Sequence, residues 1–198
     1  MAWTEECDWQ WNLYFKTNYF LYWKGDIIMN LKKMIICSLL LAIGLLLHQI
    51  SPPLLFGMKP DFLLAMMFIA LIIAKDYKTT LVIGLLSGIL TAATTTFPAG
   101  QIPNLIDKIV TTNILFLLVK FTDGKVKNQA RMIILSITGT FISGFVFLGS
   151  ALLLVSLPAP FMTLVLTVVL PACVINTIAT VILYNAISAA LKRSSITF

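Results

Sequence analysis

The chain predicts an all-α polytopic membrane protein with six membrane-crossing helices and both termini on the cytoplasmic side. Three observations carry this expectation. Of its 198 residues 59% are hydrophobic and only 11% are charged, with a mean hydropathy of +0.96. A soluble domain needs about a quarter of its residues charged to keep its surface wet. The apolar runs, such as those at Met132–Leu135 and Leu164–Leu170, lack the period-two alternation of barrel strands and read as buried helix. In a bilayer every backbone amide must pair internally, so helices are the remaining solution. The cations between the runs fall on alternate sides, which is how topology determinants are distributed.

In order, helices are expected near 31–50, 60–74, 79–96, 103–120, 131–156 and 161–190. Proline and glycine mark the breaks at Ser51-Pro52-Pro53, Lys59-Pro60, Phe97-Pro98-Ala99-Gly100, Ile102-Pro103 and Pro158-Ala159-Pro160. Pro60 and Pro103 each fit a first helical turn, where the missing N–H does no harm. Pro171 lies inside the last helix and predicts a kink. A hydrocarbon core of about 30 Å takes roughly 20 residues, yet the second helix has only Phe62–Ala74 without charge. It must therefore sit inside the bundle, or be extended by polar residues that line a cavity.

Charge sets the orientation. Lys32, Lys33, Lys75, Lys78, Lys120, Lys125, Lys127, Arg131, Lys192 and Arg193 share one face, and the opposite turns carry only Lys59 and Lys108. The positive-inside rule makes the first face cytoplasmic. The formal charge of +6 is scattered, forming no basic stripe, so nucleic acid is not an expected partner. Cys7, Cys37 and Cys173 show no CxxC or zinc spacing and read as buried structural thiols.

Residues 1–28 differ from 29–198. They hold all four tryptophans (Trp3, Trp9, Trp11, Trp23) and half the acidic residues, without a signal peptide's basic start and apolar stretch. Met29-Asn30-Leu31-Lys32-Lys33 looks like an ordinary start for an inner-membrane protein. We therefore expect a six-helix transport domain at 29–198, preceded by an aromatic extension upstream of the native start. The alternative is an aromatic segment lying on the inner leaflet.

Candidate chemistry gathers on the outer face. One stretch runs Phe56-Gly57-Met58-Lys59-Pro60-Asp61-Phe62. The other runs from Thr94 through Phe97, Gly100, Gln101 and Asn104 to Asp107-Lys108. Each acid lies within two residues of a lysine. Asn104, Asp107, Lys108, Thr111 and Thr112 are three or four apart, which makes a polar stripe running inward. Taken singly, the charges could be snorkelling interfacial anchors. Two acid–base clusters on one face, joined by a Thr- and Gly/Pro-rich loop, point to a site. Opposite charges, hydroxyls, amides and Phe/Met surfaces suit a zwitterion with an aromatic body.

Weaker signals are His48 and Gln49, read as an interfacial pair, and Asn176, read as an interhelical hydrogen bond. Gly139, Gly144 and Gly149, with Thr140 and Ser143, give the fifth helix a small face. Ser38-Leu39-Leu40-Leu41-Ala42 is a small-xxx-small pair that suits either internal packing or docking of a partner. The sequence contains no GxxxxGK[ST], HExxH or GxSxG and no carboxylate dyad within one span. It reads as a non-enzyme with no cofactor and no metal ligands.

Phe56–Phe68 and Thr94–Lys108 resemble the bacterial tryptophan transporter family of Firmicutes, over about residues 29–190. That family is similar to the substrate-binding S components of energy-coupling-factor transporters, which are six-helix membrane proteins. The resemblance implies tryptophan as substrate. It also implies a small-xxx-small motif on the first helix, matched by Ser38 and Ala42, that docks a transmembrane partner tied to two ATPases. Residues 29–198 contain no tryptophan, which suits a protein made when tryptophan is scarce.

On this reading Lys59 or Lys108 meets the substrate carboxylate and Asp61 or Asp107 its ammonium. Phe56, Met58 and Phe97 supply the indole surface, and Gln101 or Asn104 accepts its N–H. The alternatives are a stand-alone carrier coupled to an ion gradient through Asp61 or Asp107, and a six-helix membrane scaffold. An embedded enzyme ranks last.

Overall fold

The computed structural model describes residues 31–52 and 59–193. Phe56, Met58, Cys7 and the 1–28 extension lie outside the described residues. The chain divides at Ile36/Cys37 into two compact units, and the packing described here lies within the second.

Among the described residues there are six helices and no strands: α1 (Leu31–Ile50), α2 (Phe62–Ala74), α3 (Tyr77–Thr94), α4 (Gln101–Thr122), α5 (Asn128–Leu154) and α6 (Phe161–Arg193). All but α2 are long and apolar enough to cross a membrane. The chain is an all-α polytopic membrane protein.

The 13 residues of α2 span about 20 Å at 1.5 Å per residue, well short of about 30 Å of hydrocarbon. Its solution combines both expected routes. Leu63 through Leu71, with Ile73 and Ala74, are buried on every side of the helix. Neighbours are α3, α4, α5 and α6, together with α1, where a Cβ on Gly44 would come within 3.0 Å of Leu63 Cα. Beyond its outer end the polar Lys59-Pro60-Asp61 segment continues the path.

Side chains and turns explain the boundaries. Asp61 is the N-cap of α2, its Oδ1 accepting from Leu64 N–H at 2.9 Å. Pro60 therefore precedes the cap instead of occupying the first turn. Lys75 ends α2 in the left-handed conformation, φ 58°. Asp76 then caps α3 by accepting from Thr79 N–H at 2.8 Å, so α3 starts two residues earlier than expected. Pro103 does lie in the first turn of α4.

Pro171 is accommodated by a π-helical turn at Val165–Val169, closed by Leu170 N–H to Val165 O. A π turn is one of the identifiable sources of a helix bend.

Close approaches fix the helix register. A Cβ on Gly139 would meet Phe68 at 2.6 Å, one on Gly144 would meet Val169 at 2.6 Å, and Gly149 faces open space. The small face of α5 is thus confined to 139–144. Arg131, counted from sequence as a topology cation, is buried. It donates from Nη1 to Asp123 at 3.0 Å, from Nε to Thr122 Oγ1 at 3.0 Å and from Nη2 to Val119 O. It thereby ties the start of α5 to the C-terminus of α4. Cys37 and Cys173 are buried, their thiols donating to Ala70 O at 3.7 Å and to Ile137 O at 3.9 Å.

Candidate functional site

The two expected acid–base pairs form one cluster. Asp61 stands at the N-cap of α2 and Asp107 and Lys108 on the second turn of α4, where the inward face of the helix carries both into the bundle. Lys108 Nζ lies 2.5 Å from Asp61 Oδ2 and 2.7 Å from Asp107 Oδ2. Lys108 and Asp107 are each 1% exposed, a depth at which an unpaired charge is strongly disfavoured.

The remaining lone pairs are satisfied by hydroxyls. Asp107 accepts from Thr111 Oγ1 and from Ser143 Oγ of α5, both at 2.8 Å. His48 of α1 is buried, with Nδ1 3.7 Å from Asp61 Oδ1. Four elements thus converge on one ionic centre.

This centre borders a cavity of about 110 Å³. Its polar wall comprises His48, Lys59, Asp61, Asn104, Asp107 and Lys108, with hydroxyls from Thr95, Thr96, Thr140 and Ser143. Its apolar wall comes from Phe97, Phe147, Leu148, Val168, Val169 and others of α5 and α6. Phe97 is buried although it lies in the α3–α4 turn, and it packs edge-on against Phe147 with centroids 5.4 Å apart and planes at 78°. That turn is held by Gly100 N–H to Phe97 O at 3.0 Å. Asn104 donates to Gly100 O at 2.8 Å.

Of the sequence-expected residues, the structure brings Lys59, Asp61, Phe97, Asn104, Asp107 and Lys108 to the cavity. Gln101 is exposed at the first turn of α4 and does not border it. Asn113, next to the inward-running polar stripe of α4, is half-buried, accepts from Tyr77 Oη at 2.8 Å and does not border the cavity. Ser38 and Ala42 are exposed on α1, away from the cavity.

Three lining residues were discounted in sequence: His48, Thr140 and Asn176. Each is buried, and among the described residues each leaves a side-chain atom (Nδ1, Oγ1 and Oδ1) without a hydrogen-bond partner. The available signal was their polarity within otherwise apolar spans.

The family model for "Tryptophan transporter TrpP" matches residues 30–192. The chain belongs to the tryptophan transporter family. Three curated relatives agree, each named "Probable tryptophan transport protein". The one from Clostridium acetobutylicum is 54% identical over 164 residues, covering 83% of this chain and 96% of the relative. Those from Bacillus subtilis and Clostridium perfringens are 47% and 45% identical, each covering 84% of this chain and 96% and 97% of their own lengths. No solved structure matches the chain. Family and fold together make it a multi-pass protein of the cell membrane, in keeping with the tryptophan transporters.

Proposed function

We propose that this chain is the substrate-binding subunit of a tryptophan uptake system. It captures the amino acid from outside in the cavity between α1, α2, α4, α5 and α6, and depends on a separate ATP-driven module. The observation that carries this reading is the Asp61–Lys108–Asp107 centre placed against an aromatic and aliphatic wall.

At ordinary charges two carboxylates against one ammonium leave a net −1, which suits the substrate ammonium. Lys59 also borders the cavity and has no ion-pair partner among the described residues, which suits the carboxylate. Lys108, held between two acids, organises the site. Phe97 and Phe147 offer an edge-on aromatic surface for the indole, to which Phe56 and Met58 remain candidate additions. Family membership supports tryptophan as the substrate.

Uptake against a gradient needs energy, and the sequence has no nucleotide-binding loop of its own. The exposed Ser38 and Ala42 on α1 allow close approach of a partner helix. Labelled tryptophan uptake, measured in cells with and without the energy-coupling ATPases, tests the dependence. Uptake should vanish without them. Undiminished uptake would identify a stand-alone carrier coupled to an ion gradient.

A further inference from the structure

We infer that Asn176, with Thr140 beside it, forms the floor of the cavity and reads the ring N–H of the indole. This rests on the cavity being the tryptophan site.

The α5–α6 interface supplies the argument. Ser136 Oγ and Thr180 Oγ1 meet at 3.1 Å across it, the ordinary way for hydroxyls of two membrane helices to satisfy one another. The helices run antiparallel, so the next rung outward is four residues on along α5 and four back along α6. That rung is Thr140 and Asn176. There the pattern breaks, for neither Thr140 Oγ1 nor Asn176 Oδ1 has a partner among the described residues.

Other hydroxyls of these helices fall back on their own backbone, as Thr138 does on Ile134 O and Thr177 on Cys173 O. Thr140 does not. Asn176 is 1% exposed, and a buried amide oxygen at this depth is unfavourable unless something donates to it. Both residues border the cavity, so the missing donor is expected from a molecule inside it.

The spacing fits tryptophan. Ser143, hydrogen-bonded to Asp107, stands three residues outward from Thr140, about 4.5 Å along the helix. The ring nitrogen of tryptophan is four bonds from its α-carbon, a reach on the order of 5 Å with bonds of about 1.5 Å. With its ammonium at the acidic centre, the substrate places its ring N–H about one turn deeper, at the floor. Of the residues first expected to accept it, Gln101 lies off the cavity, and Asn104 stands one turn outward of Lys108 on α4, on the side of the acidic centre away from the floor. A site built to bond an N–H discriminates strongly against an isostere lacking it, because its acceptor is then left buried and unpaired.

The probe is 3-benzothienylalanine, in which sulfur replaces the ring N–H with nearly the same shape. Binding of both amino acids to the purified full chain should favour tryptophan at least tenfold. Asn176→Leu should bring that ratio close to one by weakening tryptophan and leaving the sulfur analogue within a factor of two. The isosteric Thr140→Val should lower the ratio less.

Equal affinity of the wild-type protein for both ligands overturns the assignment without recourse to any variant. An unchanged ratio in Asn176→Leu overturns it too, or in Thr140→Val should the first variant not fold. A wild-type protein that binds neither ligand refutes the tryptophan site itself, a distinct failure.

Discussion

Replacing Asp61 by Asn isolates one charge with little other disturbance. Asp61 has two structural jobs, capping α2 through Leu64 N–H at 2.9 Å and receiving Lys108 at 2.5 Å. Asn is as good an N-cap as Asp, so the helix start survives. Lys108 keeps Asp107 at 2.7 Å and Ser143 at 3.4 Å, so it is not left alone in the bundle. What changes is the net charge of the centre, from −1 to zero.

A charge-assisted hydrogen bond contributes about 1.5–3 kcal/mol, or roughly ten- to a hundredfold in affinity. Tryptophan binding to purified Asp61→Asn, measured by calorimetry, should weaken by that factor at nearly unchanged protein yield. Indole-3-propionate lacks the ammonium. It should compete poorly for the wild-type protein and lose less than tryptophan on the replacement. If single neutral replacements at Lys59, Asp61, Asp107 and Lys108 all leave tryptophan affinity within a factor of two, the charges only anchor helix ends and the reasoning fails.

Two further outcomes are expected. Leu or Trp in place of Ser38 or Ala42 should abolish uptake in cells while leaving substrate binding by the purified protein intact; full uptake in both variants would count against docking at this face. Gly139→Ala should destabilise the fold by about 1–3 kcal/mol through overpacking against Phe68. Gly149→Ala, into open space, should be neutral or stabilising by up to about 1 kcal/mol. Thermal unfolding in detergent compares these two, and equal losses would contradict the described register of α5.

The helices were legible in sequence because each is an apolar run ended by proline, glycine or charge. Their starts moved by two residues where Asp61 and Asp76 act as caps, since cap geometry depends on backbone angles that composition does not encode. The site was legible as a set of residue types on one face. Its wiring was not. Asp61 and Asp107 are 46 positions apart, and only the packing of α2 against α4 makes them share Lys108 in place of two local pairs.

Asn176 and Thr140 escaped for a related reason. A polar residue in a membrane helix ordinarily finds an interhelical partner, as Ser136 and Thr180 do. Whether a given one does so depends on register across two helices and on whether a cavity intervenes. Arg131 likewise reads as a surface cation until Val119, Thr122 and Asp123 are seen to surround it.

The shortness of α2 connects fold to transport. A helix of about 20 Å in a core of about 30 Å leaves about 10 Å of depth at its outer end. That depth is where Lys59, Asp61 and the cavity lie. At the N-terminus of α2 the Asp61 side chain accepts from Leu64 N–H, and the positive end of the helix dipole favours a carboxylate at this position. The rest of α2 is an apolar plug, buried on all sides from Leu63 to Leu71. Below the floor, the Ser136–Thr180 bond closes the α5–α6 seam. A substrate in the cavity therefore has no polar route inward past α2 without relative movement of these helices. Binding by itself supplies only the difference in affinity between the two arrangements. On the proposed reading a tightly held zwitterion favours the closed-floor arrangement described here, and inward release then draws on energy from a partner module or an ion gradient. This is the physical reason to look for a partner on α1, whose exposed small residues lie outside the cavity and can be engaged without touching the substrate.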